Sequence, residues 1–220
     1  TDSGIESLRE LNAIIHGKKV EHQIASRKEM MDVAGDIHSI DFDSYDWWFD
    51  YALKPHLISR SVVSCTEHVY AYTGGAHGNG FVEGLNFRLH PLLRLYLEDF
   101  FAWEDHKTVL NFLSLHCYQE LRKRHNEWLQ PTREEIKRQT PESLFFKGSL
   151  LPEWKNFRHY LISRKGFEIV FNTGSVGPHA FSQHTIHVPF DELVKLMTKP
   201  RHVLDLQEKV STAIVYGNVP

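Results

Sequence analysis

The sequence predicts an α+β fold: an antiparallel sheet with one long helix and shorter helices packed on it. Three observations predict it. Stretches rich in β-branched and aromatic residues follow one another through short Gly- and Pro-containing turns. One long segment of helical apolar spacing interrupts them. No strand–helix–strand rhythm of a parallel sheet is present. The chain has 220 residues, 41% hydrophobic and 24% charged, which suits one domain of good size with an added arm.

Taken in order, Ser3-Gly4-Ile5-Glu6 has the capping-box pattern, with Leu8, Leu11, Ile14 and Ile15 at helical spacing and Gly17 as a stop. A second box, Ser26-Arg27-Lys28-Glu29, opens a helix with Met30, Val33, Ile37 and Ile40 on its apolar face. Asp36, Asp41, Asp43, Asp46 and Asp50 then gather around the aromatic cluster Tyr45, Trp47, Trp48 and Phe49. The plainer reading is a solvated acidic face; the sharper one is a dock for a basic partner. From residue 51 the texture is that of strands, and residues 57–72 are dense in β-formers such as Val63, Cys65, Val69 and Tyr72. A further strand over 81–89 alternates through Leu85, Phe87 and Leu89, and His90-Pro91 ends it.

Residues 104–124 read as the longest helix, with Val109, Leu110, Phe112, Leu113, His116, Cys117 and Leu121 as its stripe. Pro131 breaks it, and Thr132-Arg133-Glu134-Glu135 opens a short helix. Residues 161–163 and 167–171 form a hairpin around Arg164-Lys165-Gly166. A loop over 172–183 precedes a strand over 184–188, and 191–197 close as a helix. The expected organisation is a helical arm over 1–50, an α+β binding domain over 51–198 and a tail over 199–220, where Val203, Leu204 and Leu206 pack back.

A formal charge of −3 and a pI near 6.5 leave no electrostatic case for nucleic acid. The run Arg122-Lys123-Arg124-His125 reads as a solvated helix end. No apolar stretch is long enough to cross a bilayer, but the chain starts at Thr1, so an anchor outside it stays in view. Cys65 and Cys117 make neither a CxxC nor a zinc-finger spacing; one disulfide and two buried thiols both stand, and the apolar setting of Cys117 favours thiols. The 15 histidines make pH-sensitive binding an expectation.

Phosphate-loop, dinucleotide, HExxH and GxSxG signatures are all missing, so no catalytic residue and no cofactor is assigned. Gly174-Ser175-Val176-Gly177 has the wrong spacing for a nucleophile elbow, and Glu98-Asp99 and Glu134-Glu135 read as helix-start carboxylates. The candidate ligand-binding loops are Gly74, Gly75, His77, Gly78 and Asn79 in the first, and Gly177, Pro178 and His179 in the second. The rival from another class is a metal-dependent hydrolase in which His77, His179 and either His184 or His187 converge on zinc. Against it, His184 and His187 are three apart on a strand and face opposite ways. A third reading is a scaffold or inhibitory subunit with residues 1–50 as its docking arm. Trp47, Trp48, Trp103 and Trp128 offer stacking faces for a glycan, although most are expected in the core.

Tyr70-Ala71-Tyr72-Thr73-Gly74-Gly75-Ala76-His77-Gly78, followed by Leu85-Asn86-Phe87, resembles the signature of a bacterial domain. It is the C-terminal extracytoplasmic domain of RsiV-type, lysozyme-sensing anti-sigma factors, which also accompanies PdaC-type peptidoglycan deacetylases outside their catalytic domain. The likeness continues in order through Leu95-Tyr96-Leu97-Glu98-Asp99-Phe100-Phe101, Pro152-Glu153-Trp154-Lys155-Asn156-Phe157, Gly166-Phe167-Glu168-Ile169-Val170-Phe171, Val176-Gly177-Pro178-His179-Ala180 and Val188-Pro189-Phe190-Asp191-Glu192-Leu193. His179 stands where that family carries Tyr. The resemblance implies a non-catalytic domain outside the cytoplasm, periplasmic or on the cell surface, whose partner is a protein such as lysozyme or else peptidoglycan or another glycan. Lysozyme is strongly basic, and a net charge of −3 attracts it only weakly.

Overall fold

β-Branched and aromatic residues from Trp48 onward pair into an antiparallel meander. In this computed structural model, which describes residues 2–36, 48–72 and 78–197, its strands are β1 (Trp48–Ile58), β2 (Val62–Tyr72), β3 (Asn79–Leu89) and β4 (Leu92–Arg94), ordered β1-β2-β3-β4. The stretch 57–72, dense in β-formers, is divided by a turn. Ser59 makes it, accepting from the Val62 N–H at 2.9 Å and donating to the Val62 carbonyl at 3.0 Å. Pro55, which lacks an N–H, sits beside the register shift of the edge strand β1.

A second antiparallel sheet, β5 (Tyr160–Ile162), β6 (Gly166–Phe171) and β7 (His184–Pro189), contains the expected hairpin. Helix α2 (His106–Leu129) packs on β7 and buries Val109, Leu113, Cys117 and Leu121, spaced one helical turn apart. Short helices α3 (Arg133–Arg138) and α4 (Pro141–Leu144) follow, and Thr132 closes a capping box with Glu135 at the start of α3. The closing helix is shorter than expected: α5 covers Phe190–Leu193, and Met197 instead bridges to Phe101. The fold class is α+β, as the strand and helix patterns predict.

The two sheets meet at a buried polar staple. Ser64 donates to Asn86 Oδ1 at 2.6 Å, and Asn86 Nδ2 donates to the Tyr160 carbonyl at 2.7 Å. The Ile162 N–H donates to Ser64 Oγ at 3.1 Å and to Asn86 Oδ1 at 3.2 Å. The backbones come so close that a Cβ on Gly84 would lie 1.8 Å from the Tyr160 oxygen, so only glycine fits. Leu85-Asn86-Phe87, part of the signature quoted above, is therefore a joint between sheets.

The N-terminal segment departs from expectation. Gly17 does not stop a helix; α1 (Asp2–Asp36) runs through it and is longer than α2. The reason is tertiary. Lys18 and His22, just past the glycine, reach the Glu67 carboxylate at 3.2 and 3.6 Å, which rewards continuing the helix over the cost of one glycine. Leu8, Leu11 and Ile15 pack the same helix on Val63, Cys65, Leu85 and Phe87.

Two further expectations change, and the cysteine reading holds. The basic run in α2 is no solvated end: Arg122 donates to the Ile136 carbonyl, Arg124 to the Thr185 carbonyl, and the His125 ring packs on Phe145, Trp128 and Phe181. Trp103, at 83% exposure, leaves the core almost entirely, and Trp48 and Trp128 are half exposed. Cys65 and Cys117 are both free and buried, in separate apolar clusters. Burial pushes the Cys65 thiol up to about 11 and the Cys117 thiol higher still. Ile37, Ile40, the acidic residues 41–46, Trp47 and the tail from 199 lie outside the described residues.

Candidate binding groove

β4 pairs with only the last three residues of β3, Phe87–Leu89, so among the described residues the earlier part of β3 lacks a hydrogen-bonded strand neighbour on that side. Asn172 substitutes for one. It accepts from the Val82 N–H at 2.7 Å and donates to the Val82 carbonyl at 2.9 Å, as a paired strand would. Between α1 at one end and Asn172 at the other, the open side of β3 lies in a trough.

The trough has three adjacent parts. The first, about 660 Å³, lies between α1 (Glu10, Ile14, Lys18) and Glu83, Phe87, Arg94 and Tyr96. Glu83, Arg94 and Tyr96 also line the second, about 330 Å³, together with Phe81, Arg158 and His159. The last three continue into the third, about 240 Å³, which ends on Lys155, Asn172 and Ser175. Neighbouring parts share lining residues, so the three lie in a row along the sheet edge. Tyr96 stands at the trough's first junction with a ring 56% exposed.

Its charges are fixed by ion pairs. Arg94 Nη2 donates to Glu83 at 3.0 Å and to the Gly84 carbonyl at 2.8 Å, with its guanidinium 5.2 Å from the centre of the Phe87 ring. Lys18 lies 3.7 Å from Glu83 and 3.2 Å from Glu67. Tyr51 donates to Glu67 at 2.8 Å, and burial followed by that carboxylate pushes the phenol far up. Along the groove two acids, Glu10 and Glu83, face four cations, Lys18, Arg94, Lys155 and Arg158. Glu67 and Glu153, outside the lining, pair with Lys18 and Lys155, so the charges along the groove balance overall.

His159 is held neutral. Burial lowers its pKa first, Arg158 and Arg94 add to this, and Glu83 opposes them. Arg158 Nε donates to His159 Nε2 at 3.0 Å, which leaves the ring hydrogen on Nδ1.

Of the first candidate loop, Gly74, Gly75 and His77 lie outside the described residues. Gly78 is buried: its N–H donates to the Tyr70 hydroxyl at 3.2 Å, and an added Cβ would meet that ring at 2.4 Å. Tyr70 in turn stacks on Trp48, 4.8 Å between ring centres. Asn79 is exposed and opens β3 opposite Ala71. The second loop is rooted on β3 through Asn172, and its Ser175 and Val176 line the groove end. Beyond them Gly177 is buried against Phe181, while Pro178 and His179 are exposed. Phe181 carries that tip toward the end of α2, packing on His125 and Trp128 and at 4.1 Å on His184. Among the described residues no three His, Cys, Asp or Glu side chains are grouped to hold a metal. His184 and His187 do separate, pairing opposite Phe171 and Glu168.

Sequence reasoning did not single out Glu83, Arg94, Arg158 or His159. One signal was present: Glu83 occupies an apolar-face position of an alternating strand, between Phe81 and Leu85. A charge there needs partners from elsewhere in the chain.

Residues 98–191 match the family described as a protein of unknown function, DUF3298. The fold is similar to the crystal structure of a DUF3298 family member from Bacteroides fragilis, with 17% identity and a TM-score of 0.60, over 90% of this chain and 74% of that one. It is also similar to a DUF3298 family protein from Pseudomonas aeruginosa, with 16% identity and a TM-score of 0.51, over 72% of this chain and 66% of that one. No curated protein matches the chain. The chain thus carries a DUF3298 match over residues 98–191 and shares its fold with solved DUF3298 family members.

Proposed function

We propose that this protein is a non-catalytic binding module that lays an extended cell-envelope polymer along the groove, with peptidoglycan glycan strands as the ligand. The observation that carries the reading is the row of adjacent cavities, with shared lining residues, from α1 past Tyr96 to Asn172. A trough of adjacent subsites with an exposed aromatic at a junction suits a chain of repeating units better than one compact molecule. The groove end at Lys155 and Arg158, which has no acidic side chain in its lining, favours a polymer with acidic groups over lysozyme, whose basic surface would meet like charge there. The resemblance to RsiV- and PdaC-type domains supports placement outside the cytoplasm. The loop that carries the second candidate residues, Gly177 to His179, reaches the groove end through Ser175 and Val176.

The test is co-sedimentation with insoluble peptidoglycan, beside calorimetric titration with c-type lysozyme at pH 7.5 and 5.5. Saturable sedimentation without heat from lysozyme is expected. Tight lysozyme binding without sedimentation would transfer the assignment to a lysozyme receptor.

A further inference from the structure

We propose that the groove end beside Asn172 is an anion subsite, in which Lys155 and Arg158 hold an acidic group of the bound ligand against His159. The proposal deepens the polymer-binding reading and rests on it for the source of that group, the lactyl carboxylate of glycan strands whose stem peptides have been removed.

The third part of the groove has no acidic side chain in its lining. Its amide and hydroxyl side chains are already committed. Asn172 spends its amide on Val82, Asn156 Nδ2 donates to the Gly148 and Leu151 carbonyls, and Ser175 Oγ donates to the Asn172 carbonyl. His159 Nδ1 has no partner among the described residues but is sealed from solvent, so the donors within a ligand's reach are cationic. Arg158 makes a single side-chain hydrogen bond among the described residues, from Nε to the neutral His159 ring, so its terminal nitrogens have no acceptor. Among the described residues Lys155 pairs with Glu153, a half-exposed carboxylate outside the lining.

A guanidinium with both terminal nitrogens free presents the fork that grips a carboxylate or phosphate through two bonds. At about 240 Å³ the space is below the range of whole-ligand sites, roughly 300–1,000 Å³, and suits one substituent of a longer ligand. Phe81 closes one side, its ring edge-on to His159 at 5.4 Å.

The test follows the His159 ring and Arg158 side-chain NMR signals while three probes are added separately: N-acetylmuramic acid, N-acetylglucosamine and inorganic phosphate. The two sugars differ by a lactyl group that ends in a carboxylate. N-Acetylmuramic acid is expected to give saturable shifts at both residues, and N-acetylglucosamine none. Arg158→Gln and Lys155→Gln, both exposed changes, are each expected to weaken that binding at least tenfold with the spectrum otherwise native. Saturation by phosphate alone would keep the anion subsite but assign it to a phosphate-bearing ligand, and the glycan reading of the groove would fall separately. Equal shifts from both sugars, shifts that never saturate, or indifference to Arg158→Gln would overturn the subsite.

Discussion

Glu67 and Glu83 sit directly opposite each other across the β2–β3 ladder. Like charges so placed repel, and Glu67 has no exposure to water at all. Lys18 resolves the conflict by reaching both carboxylates, with His22 and Tyr51 adding to Glu67 and Arg94 to Glu83. Helix α1 is thereby held on the sheet by charge as well as by Leu8, Leu11 and Ile15. The same contact forms the first wall of the groove.

Lys18→Met tests that arrangement. It leaves a buried carboxylate facing another, and a loss of about 2–3 kcal/mol is expected in urea unfolding, at the low end for a broken buried pair because Lys18 is partly solvated. Adding Glu67→Gln should recover much of it. A Lys18→Met protein as stable as the parent would show that α1 docks without this pair.

Gly17→Ala acts in the opposite direction. A Cβ there meets nothing within 4 Å, and the position lies inside α1. The variant should gain about 0.5–1 kcal/mol in thermal or urea unfolding. A loss would mean that the helix bends or ends at the glycine after all.

Asn86→Leu removes the staple between the sheets. The Tyr160 carbonyl, the Ile162 N–H and the Ser64 hydroxyl each lose a partner in a buried place. The expected cost is about 2–4 kcal/mol, read from the urea midpoint. A change below about 0.5 kcal/mol, the range of ordinary surface substitutions, would refute the joint.

Stability should fall on mild acidification. Burial lowers the pKa values of His125, His159 and His184 below the ordinary 6.5, so folding favours their neutral forms. A depressed folded value contributes stability that is complete above the unfolded pKa and lost as pH drops through the folded one. The melting temperature should therefore hold from pH 8 to about 7 and decline below about 6.5. Glu168 and Glu135, lowered from 4.5, add their losses only at more acid pH. A melting temperature that rises between pH 6.5 and 5.5 would contradict this.

Local patterns carried most of the fold. The alternation through Leu85, Phe87 and Leu89, the one-turn spacing of Val109, Leu113, Cys117 and Leu121, and the Thr132 capping box all appear where the sequence places them. What failed was set by distant partners. Gly17 looks like a stop until Glu67, fifty positions on, is brought beneath Lys18. Arg122 and Arg124 look solvated until α3 and β7 supply carbonyls. The groove is less legible for the same reason, since Lys18, Glu83, Arg94 and Arg158 come from separate segments. The quoted signature residues that are buried, such as Asn86 and Gly166, report the fold; a Cβ on Gly166 would lie 2.1 Å from the Val188 oxygen.

The most direct measurement is a titration of soluble, uncrosslinked peptidoglycan strands into the parent protein and into Tyr96→Ala. Tyr96 lines two parts of the groove, and its ring is more than half exposed, so the change should spare the fold. The account predicts saturable binding by the parent and about tenfold weaker binding by the variant, ~1.4 kcal/mol. Equal affinity in the two proteins, or none in either, would contradict a polymer lying along this groove.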